Sequence, residues 1–413
     1  MPPAQASPPD AAPARRPGLR WLAAAAVLGL GAGCFSFHRE PPQPGATTLG
    51  APTVTLGAIT VGNYLIVEAK WDRHGPYHFL IDTGASVTLV SPELAARYGT
   101  HSPFPPETPL VRVKSSEGDT ALLTATFLKR LQLEDARFED VQALVYDLAP
   151  LSAHLGVKLD GILGFPLFRE TLLTLDYPHS RVVLQRLDRR APPPGATIAF
   201  NNDRKTPIIP VRLGEQTVAA LVDSGSDADF SFNPVGLEPQ YAVPPRPGGL
   251  VGTLASDRDQ HIGRLAGTLM IGHHALLRPV ADITDELSSL GGGILRHFTV
   301  TFDQEHGRVT FLRDTLDPIP PEPRRSAGLS FTKTPAYWRV ASVVPGSPAA
   351  AAGIQAGDLV TRLNGEPVAK WDLRRYDLLV TTASTIEFTF LNGAQETARR
   401  IDVFDLVPLG GQR

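Results

Sequence analysis

Phe79-Leu80-Ile81-Asp82-Thr83-Gly84-Ala85-Ser86 and Leu221-Val222-Asp223-Ser224-Gly225-Ser226 are the two stretches that decide the fold. Each ends a short apolar run on an aspartate, then adds a hydroxyl residue, a glycine and a small residue. An apolar run that stops at a polar, glycine-containing step reads as a buried strand entering a tight turn. One such triplet is an ordinary turn, its aspartate bonding nearby backbone N–H groups. Two on matching turns suggest one shared site. Two acids held close cannot both ionise cheaply, so the pair keeps a proton and can serve one water as base and acid.

A repeat surrounds the triplets. Asp160-Gly161-Ile162-Leu163-Gly164 and then Leu173-Thr174-Leu175-Asp176 follow the first; Gly292-Gly293-Ile294-Leu295 and then Val300-Thr301-Phe302-Asp303 follow the second. This alignment sets Arg296 opposite Gly164. The closing segments share Asp176, His179, Arg181 and Val182 with Asp303, His306, Arg308 and Val309 at equal offsets. The reading is two copies of one β-rich lobe, residues 53–187 and 196–313, joined at Pro192-Pro193-Pro194-Gly195. Hairpins at 65–70 with 77–81, and at 209–213 with 218–222, run into the two aspartate turns. Residues 92–98 are expected to be helical, with Ser91 as N-cap and Pro92 at the first position.

The 413 residues carry 42% hydrophobic content, enough for two or three cores, and a net charge of -3. Acidic and basic residues are intermixed without a basic stripe, which argues against a nucleic-acid partner. A single cysteine, Cys34, rules out an intrachain disulfide and any zinc site built on several cysteines. His273 and His274 are adjacent, so on a strand they point to opposite faces, and no metal is expected.

Residues 53–313 resemble the retropepsin-like and pepsin-like aspartic proteases, on the two aspartate stretches and Gly161-Ile162-Leu163-Gly164. The resemblance implies a mainly β fold, a bilobal pair of β-barrels in one chain, monomeric with an internal pseudo-two-fold axis. It makes Asp82 and Asp223 the catalytic dyad. Gly84 and Gly225 would let backbone approach closely. Thr83 and Ser224 would bond across the axis in the fireman's grip, and the small Ala85 and Ser226 would leave room for water and substrate. Asp227, Asp229 and Arg296 depart from the pattern. Flap candidates are residues 111–120, without the tyrosine of pepsin-like flaps, and residues 248–253.

Residues 314–327, with four prolines, read as a linker to a third domain. Gly346-Ser347-Pro348-Ala349, Ala352-Gly353-Ile354, Gly357-Asp358-Leu359 and Asn364-Gly365 resemble a bacterial PDZ domain in family order. This implies a small α+β domain over 328–407, with helices at about 348–352 and 373–380 and a tight turn at Asn364-Gly365. PDZ domains take extended C-terminal peptides by strand addition. The loop Thr334-Pro335-Ala336-Tyr337-Trp338-Arg339 lacks their glycine-rich carboxylate-binding sequence.

At the other end, Arg15, Arg16 and Arg20 precede a short apolar stretch, residues 21–33, and then Cys34. The stretch falls short of the roughly 20 residues of a membrane span. It resembles a bacterial lipoprotein signal, with Gly31 where that family has Leu. The resemblance implies a signal peptide at 1–33, a lipidated Cys34, a tether at 34–52 and a cell-envelope location facing the periplasm or exterior. An uncleaved anchor, plain secretion and a cytosolic protein are the other readings.

Together these features describe an aspartic endopeptidase acting on a peptide or protein substrate. Membrane attachment is through Cys34, no cofactor is needed, and the PDZ domain targets or regulates. The alternative is a catalytically inactive, peptide-binding envelope scaffold on the same fold.

Overall fold

The computed structural model describes residues 45–409 except 72–73, 101–109, 115–119, 188–191, 253–256 and 335, and omits the side chains of 112–114, 251–252 and 257–258. The expected signal peptide, Cys34 and the tether up to residue 44 lie outside the described residues. The expected tether ends early: Thr47–Leu49 forms a strand on Ala136–Val145 of lobe one.

The chain is mainly β, with few helices. In lobe one, Tyr64–Trp71 and His74–Asp82 form the expected hairpin. Their long buried apolar runs suit strands covered on both faces. His74–Asp82 also pairs, in parallel, with Gly161–Gly164, which brings Gly164 beside Asp82. Lobe two repeats this: Gln216–Val222 pairs with Ile208–Leu213 and, in parallel, with Ser289–Leu290. The helix Pro92–Tyr98 is capped by the Ser91 hydroxyl, which accepts from the Leu94 N–H.

The lobe-two pairing corrects the alignment of the repeat. Leu290 pairs with Val222 as Leu163 pairs with Ile81, so the counterpart of Gly164 is Gly291, not Arg296. A Cβ on Gly164 would stand 2.5 Å from the Val87 carbonyl oxygen, and one on Gly291 2.3 Å from that of Ala228. Gly292–Leu295 is a short helix matching the 3-10 turn Phe165–Phe168, and Arg296 matches Arg169. In that alignment counterparts from Gly164 to Arg181 stand 127 residues apart, and Thr174 and its counterpart Thr301 also pair with each other.

The two lobes share one sheet. Their closing hairpins, Thr171–Asp176 with Arg181–Arg186 and Thr299–Asp303 with Arg308–Leu312, join through antiparallel pairing of Thr171–Asp176 on Thr299–Asp303. The closing strands of lobe two thus complete a 15-stranded sheet with lobe one, the strand leading to Asp223 lies in a separate 9-stranded sheet, and one buried core runs through both lobes. The conserved offsets seen in the sequence have a structural cause. His179 and Arg181 reach the Asp176 carboxylate at 2.7 and 2.6 Å, and His306 and Arg308 reach Asp303 at 2.9 and 2.8 Å.

The C-terminal domain has its own core around Phe331, Trp338, Tyr376 and Phe388. Its helices are Pro348–Ala351 and Leu373–Thr382. Asn364 and Gly365 are both left-handed, at φ 47° and 79°, as a two-residue hairpin turn requires. One edge strand of its sheet is Leu329–Lys333, which pairs on one side with Trp338–Val343. The turn before that edge strand contains Gly328 at φ 76°. The glycine turn is thus Ser326-Ala327-Gly328, whereas Thr334 to Tyr337 merely connects the first two strands; Trp338 is core. The expected linker is packed rather than free: Ile319 is buried against lobe two, and Arg325–Ser326 pairs with Phe404–Asp405.

Candidate active site

Asp82 ends its strand at the cleft between the lobes, and Asp223 follows its own strand to the same place. Local bonds hold each carboxylate. Asp82 Oδ1 accepts from the N–H groups of Gly84 at 2.8 Å and Ala85 at 2.9 Å; Asp223 Oδ1 accepts from Gly225 at 2.9 Å. The glycines are then crossed. A Cβ on Gly84 would lie 2.5 Å from an Asp223 oxygen, and one on Gly225 2.4 Å from an Asp82 oxygen. Each lobe's glycine makes room for the other lobe's acid, so only glycine fits at both positions.

Behind the dyad, Thr83 and Ser224 clasp the two turns. The Thr83 N–H donates to Ser224 Oγ and the Ser224 N–H to Thr83 Oγ1, both at 3.0 Å. The Thr83 hydroxyl donates to the Val222 carbonyl at 2.6 Å and the Ser224 hydroxyl to that of Ile81 at 2.8 Å. Both side chains are fully buried. This reciprocal set fixes the turns relative to each other without spending a dyad oxygen. Ala85 and Ser226 receive the elements behind the site: their carbonyls accept from Phe165 N–H at 2.9 Å and Gly292 N–H at 2.7 Å.

Burial, then the charge of Asp223, pushes the Asp82 carboxyl well above the usual range, and the N–H groups of Gly84 and Ala85 only partly offset this. Asp223 is raised by burial too, with the Gly225 N–H opposing. The two acids titrate as one unit that keeps a proton above the ordinary carboxylate range. Such a pair offers a base and an acid at one spot.

The cleft holds about 1550 Å³ and is lined by both lobes and by the C-terminal domain. The flap candidates take the form of hairpins: Leu110–Lys114 pairs with Thr120–Leu133, and Tyr241–Gly252 with Asp257–Leu265. Their tips, 115–119 and 253–256, lie outside the described residues. Asp227 and Asp229 line the cleft, as does Arg296, whose guanidinium is paired with Glu322. His274 is buried with Nε2 on the Phe311 carbonyl, a packing role. Among the described residues, no group of His, Cys, Asp and Glu is placed to hold a metal.

Sequence reasoning missed several lining residues. Tyr64 is buried beside the dyad, and burial together with the charges of Asp227 and Asp223 keeps its hydroxyl protonated. Asn63 Nδ2 donates to the Asp227 carbonyl at 2.9 Å and ties the Gly62-Asn63 turn to lobe two. Arg324, from the expected linker, lines the cleft too. Burial lowers its guanidinium, but Asp229, Asp227, Asp377 and Asp282 more than reverse that. A turn, a linker and a third domain meet here, and no local pattern announces such a meeting.

No curated protein matches the chain. Residues 67–167, the part of lobe one that includes Asp82, match the family model of an aspartyl protease. Residues 339–379 match that of a PDZ domain. The chain therefore carries an aspartyl protease domain followed, at its C-terminal end, by a PDZ domain.

Proposed function

We propose that the protein is an aspartic endopeptidase in which Asp82 and Asp223 together activate water against a peptide bond. The observation that carries this reading is the crossed packing of Gly84 on Asp223 and Gly225 on Asp82, which holds two buried acids together across two lobes. The ionised carboxylate takes a proton from water as its oxygen attacks the peptide carbonyl carbon. The other acid donates its proton to the carbonyl oxygen. Collapse of the tetrahedral species breaks the C–N bond, a proton passes to the leaving nitrogen, and the dyad regains its starting charge. The cleft accommodates an extended chain, and the PDZ domain on its wall supports peptide recognition in the same space.

The test is cleavage of a peptide library by the full chain, set against Asp82→Asn and Asp223→Asn, with and without a statine-type inhibitor. The reading requires activity in the wild type alone and loss of that activity with inhibitor. No cutting by the wild type, or cutting that neither substitution nor inhibitor changes, would leave the inert peptide-binding scaffold as the function. We further propose attachment to the bacterial cell envelope by lipid on Cys34, supported by the small residues before it and the apolar stretch 21–33.

A further inference from the structure

We infer that one substrate molecule occupies the PDZ groove and the dyad cleft at once, bound by its free C-terminus and cut a short, fixed distance upstream. The inference rests on the proteolytic reading above and adds the substrate class: polypeptides with an accessible terminal carboxylate.

The groove lies between the edge strand Leu329–Lys333 and the helix Leu373–Thr382. Among the described strands, only Trp338–Val343 pairs with this edge strand, so its second row of N–H and C=O groups takes part in no described ladder. Phe331 and Tyr376 meet between strand and helix at 5.8 Å and form the groove floor. Leu329, Tyr376 and Val380 line the same continuous cavity as Asp82 and Asp223.

Charge fixes the direction of the chain. Arg325 lies just before the Gly328 turn, at the start of the edge strand. Its guanidinium is held by the carbonyls of Val380 at 3.2 Å and Ala383 at 2.5 Å, at the C-terminal end of the helix. It too lines the cavity. A fixed positive charge beside the turn suits a carboxylate at that end. A strand added with its last residue there runs antiparallel toward Lys333 and leaves the groove at the N-terminal end of the helix.

That end packs beside the turns that flank the dyad. A Cβ on Gly62 would lie 4.0 Å from both Leu373, the first residue of the helix, and the Asp227 carboxylate. Leu373 packs on the lobe-one cluster that contains Tyr64 and Leu80. Asp227 is four residues beyond Asp223. The lobe-one helix Ala149–Leu155 comes alongside the edge strand, and its Leu151 and His154 line the passage. The edge strand has five residues. A chain paired along all five passes the N-terminal end of the helix before it meets the dyad, which puts the cut upstream of the fifth residue from the carboxylate.

The test uses the full chain bearing Asp223→Asn and a fluorescent twelve-residue peptide ending in a free Val, beside its C-terminal amide. The inference expects the acid to bind about tenfold tighter, with Arg325→Gln narrowing that gap. A photoreactive residue next to the carboxylate should crosslink to the groove helix or edge strand, and one eight residues upstream to 82–86 or 223–229. Equal binding of acid and amide, or upstream crosslinks confined to the PDZ domain, overturns it. So does a free-acid peptide that speeds cleavage of a second substrate without being cut itself. If binding and crosslinks come out as expected while wild type cuts nothing, the shared path stands and the proteolytic reading fails.

Discussion

Thr174 and Thr301 face each other hydroxyl to hydroxyl, 2.9 Å apart, where the closing strands of the two lobes pair. Each is the other's counterpart in the repeat, so their contact marks the internal two-fold axis. Both are buried. Thr174→Val or Thr301→Val alone leaves one hydroxyl unsatisfied and should cost about 1–2 kcal/mol in urea unfolding. The double variant should cost clearly less than the two singles added, because neither hydroxyl remains to be stranded.

The dyad's raised titration has two consequences of opposite value. The folded chain keeps a proton that the unfolded chain releases, so stability falls as pH rises above the ordinary carboxylate range. Asp223→Asn should therefore unfold at higher temperature at pH 8, by about 1–2 kcal/mol, with the gain fading near pH 4 (about the normal carboxylate range). Its proteolysis should be abolished. In the wild type, the alkaline limb of kcat/KM should lie above that range, where the shared proton leaves.

Gly84→Ala or Gly225→Ala pushes a methyl into the opposing carboxylate. Cleavage should fall by on the order of a hundredfold or more, mostly in kcat, while the far-ultraviolet spectrum stays β-rich. Wild-type rates from either variant would mean that the turns do not hold the acids as described.

Asp176 is buried, which by itself raises its carboxyl, but bonds from His179, Arg181 and Thr299 outweigh burial and hold it below the usual range. Its contribution is present at neutral pH and is lost as pH falls through that depressed value. Asp176→Asn should cost about 1–3 kcal/mol at pH 7. It should also flatten the acid limb of a stability profile measured by urea titration.

Cys34→Ser should move the protein from the membrane fraction to the soluble fraction of an expressing bacterium and end incorporation of labelled fatty acid. Unchanged partitioning would remove the lipid anchor from the proposal.

The sequence made the dyad, the grip and the paired Asp-His-Arg turns legible, because each is written in a short local motif that recurs in the second half of the chain. The register of the second lobe was not legible. Ile and Leu recur at 162–163 and 294–295, and composition alone matched them, whereas pairing with the aspartate strand selects Ser289–Leu290. The PDZ edge strand was hidden for a related reason. Its glycine turn, Ser326-Ala327-Gly328, sits at the end of a proline-rich stretch that reads as linker. The packing of Leu373 beside Gly62 and Asp227 joins three distant segments, and such contacts leave no periodic trace.

Arg264 is fully buried, and its guanidinium spends its bonds on the carbonyls of Arg278, Glu322 and Val407 at 3.0, 2.8 and 2.9 Å. A cation in lobe two is thus neutralised by dipoles that the ribosome makes up to 143 residues later. Until residue 407 has emerged, the second half of the dyad rests on a lobe whose buried guanidinium still lacks the last of its three carbonyl partners. Synthesis order therefore delays a finished cleft until the domain that lines it has also been made.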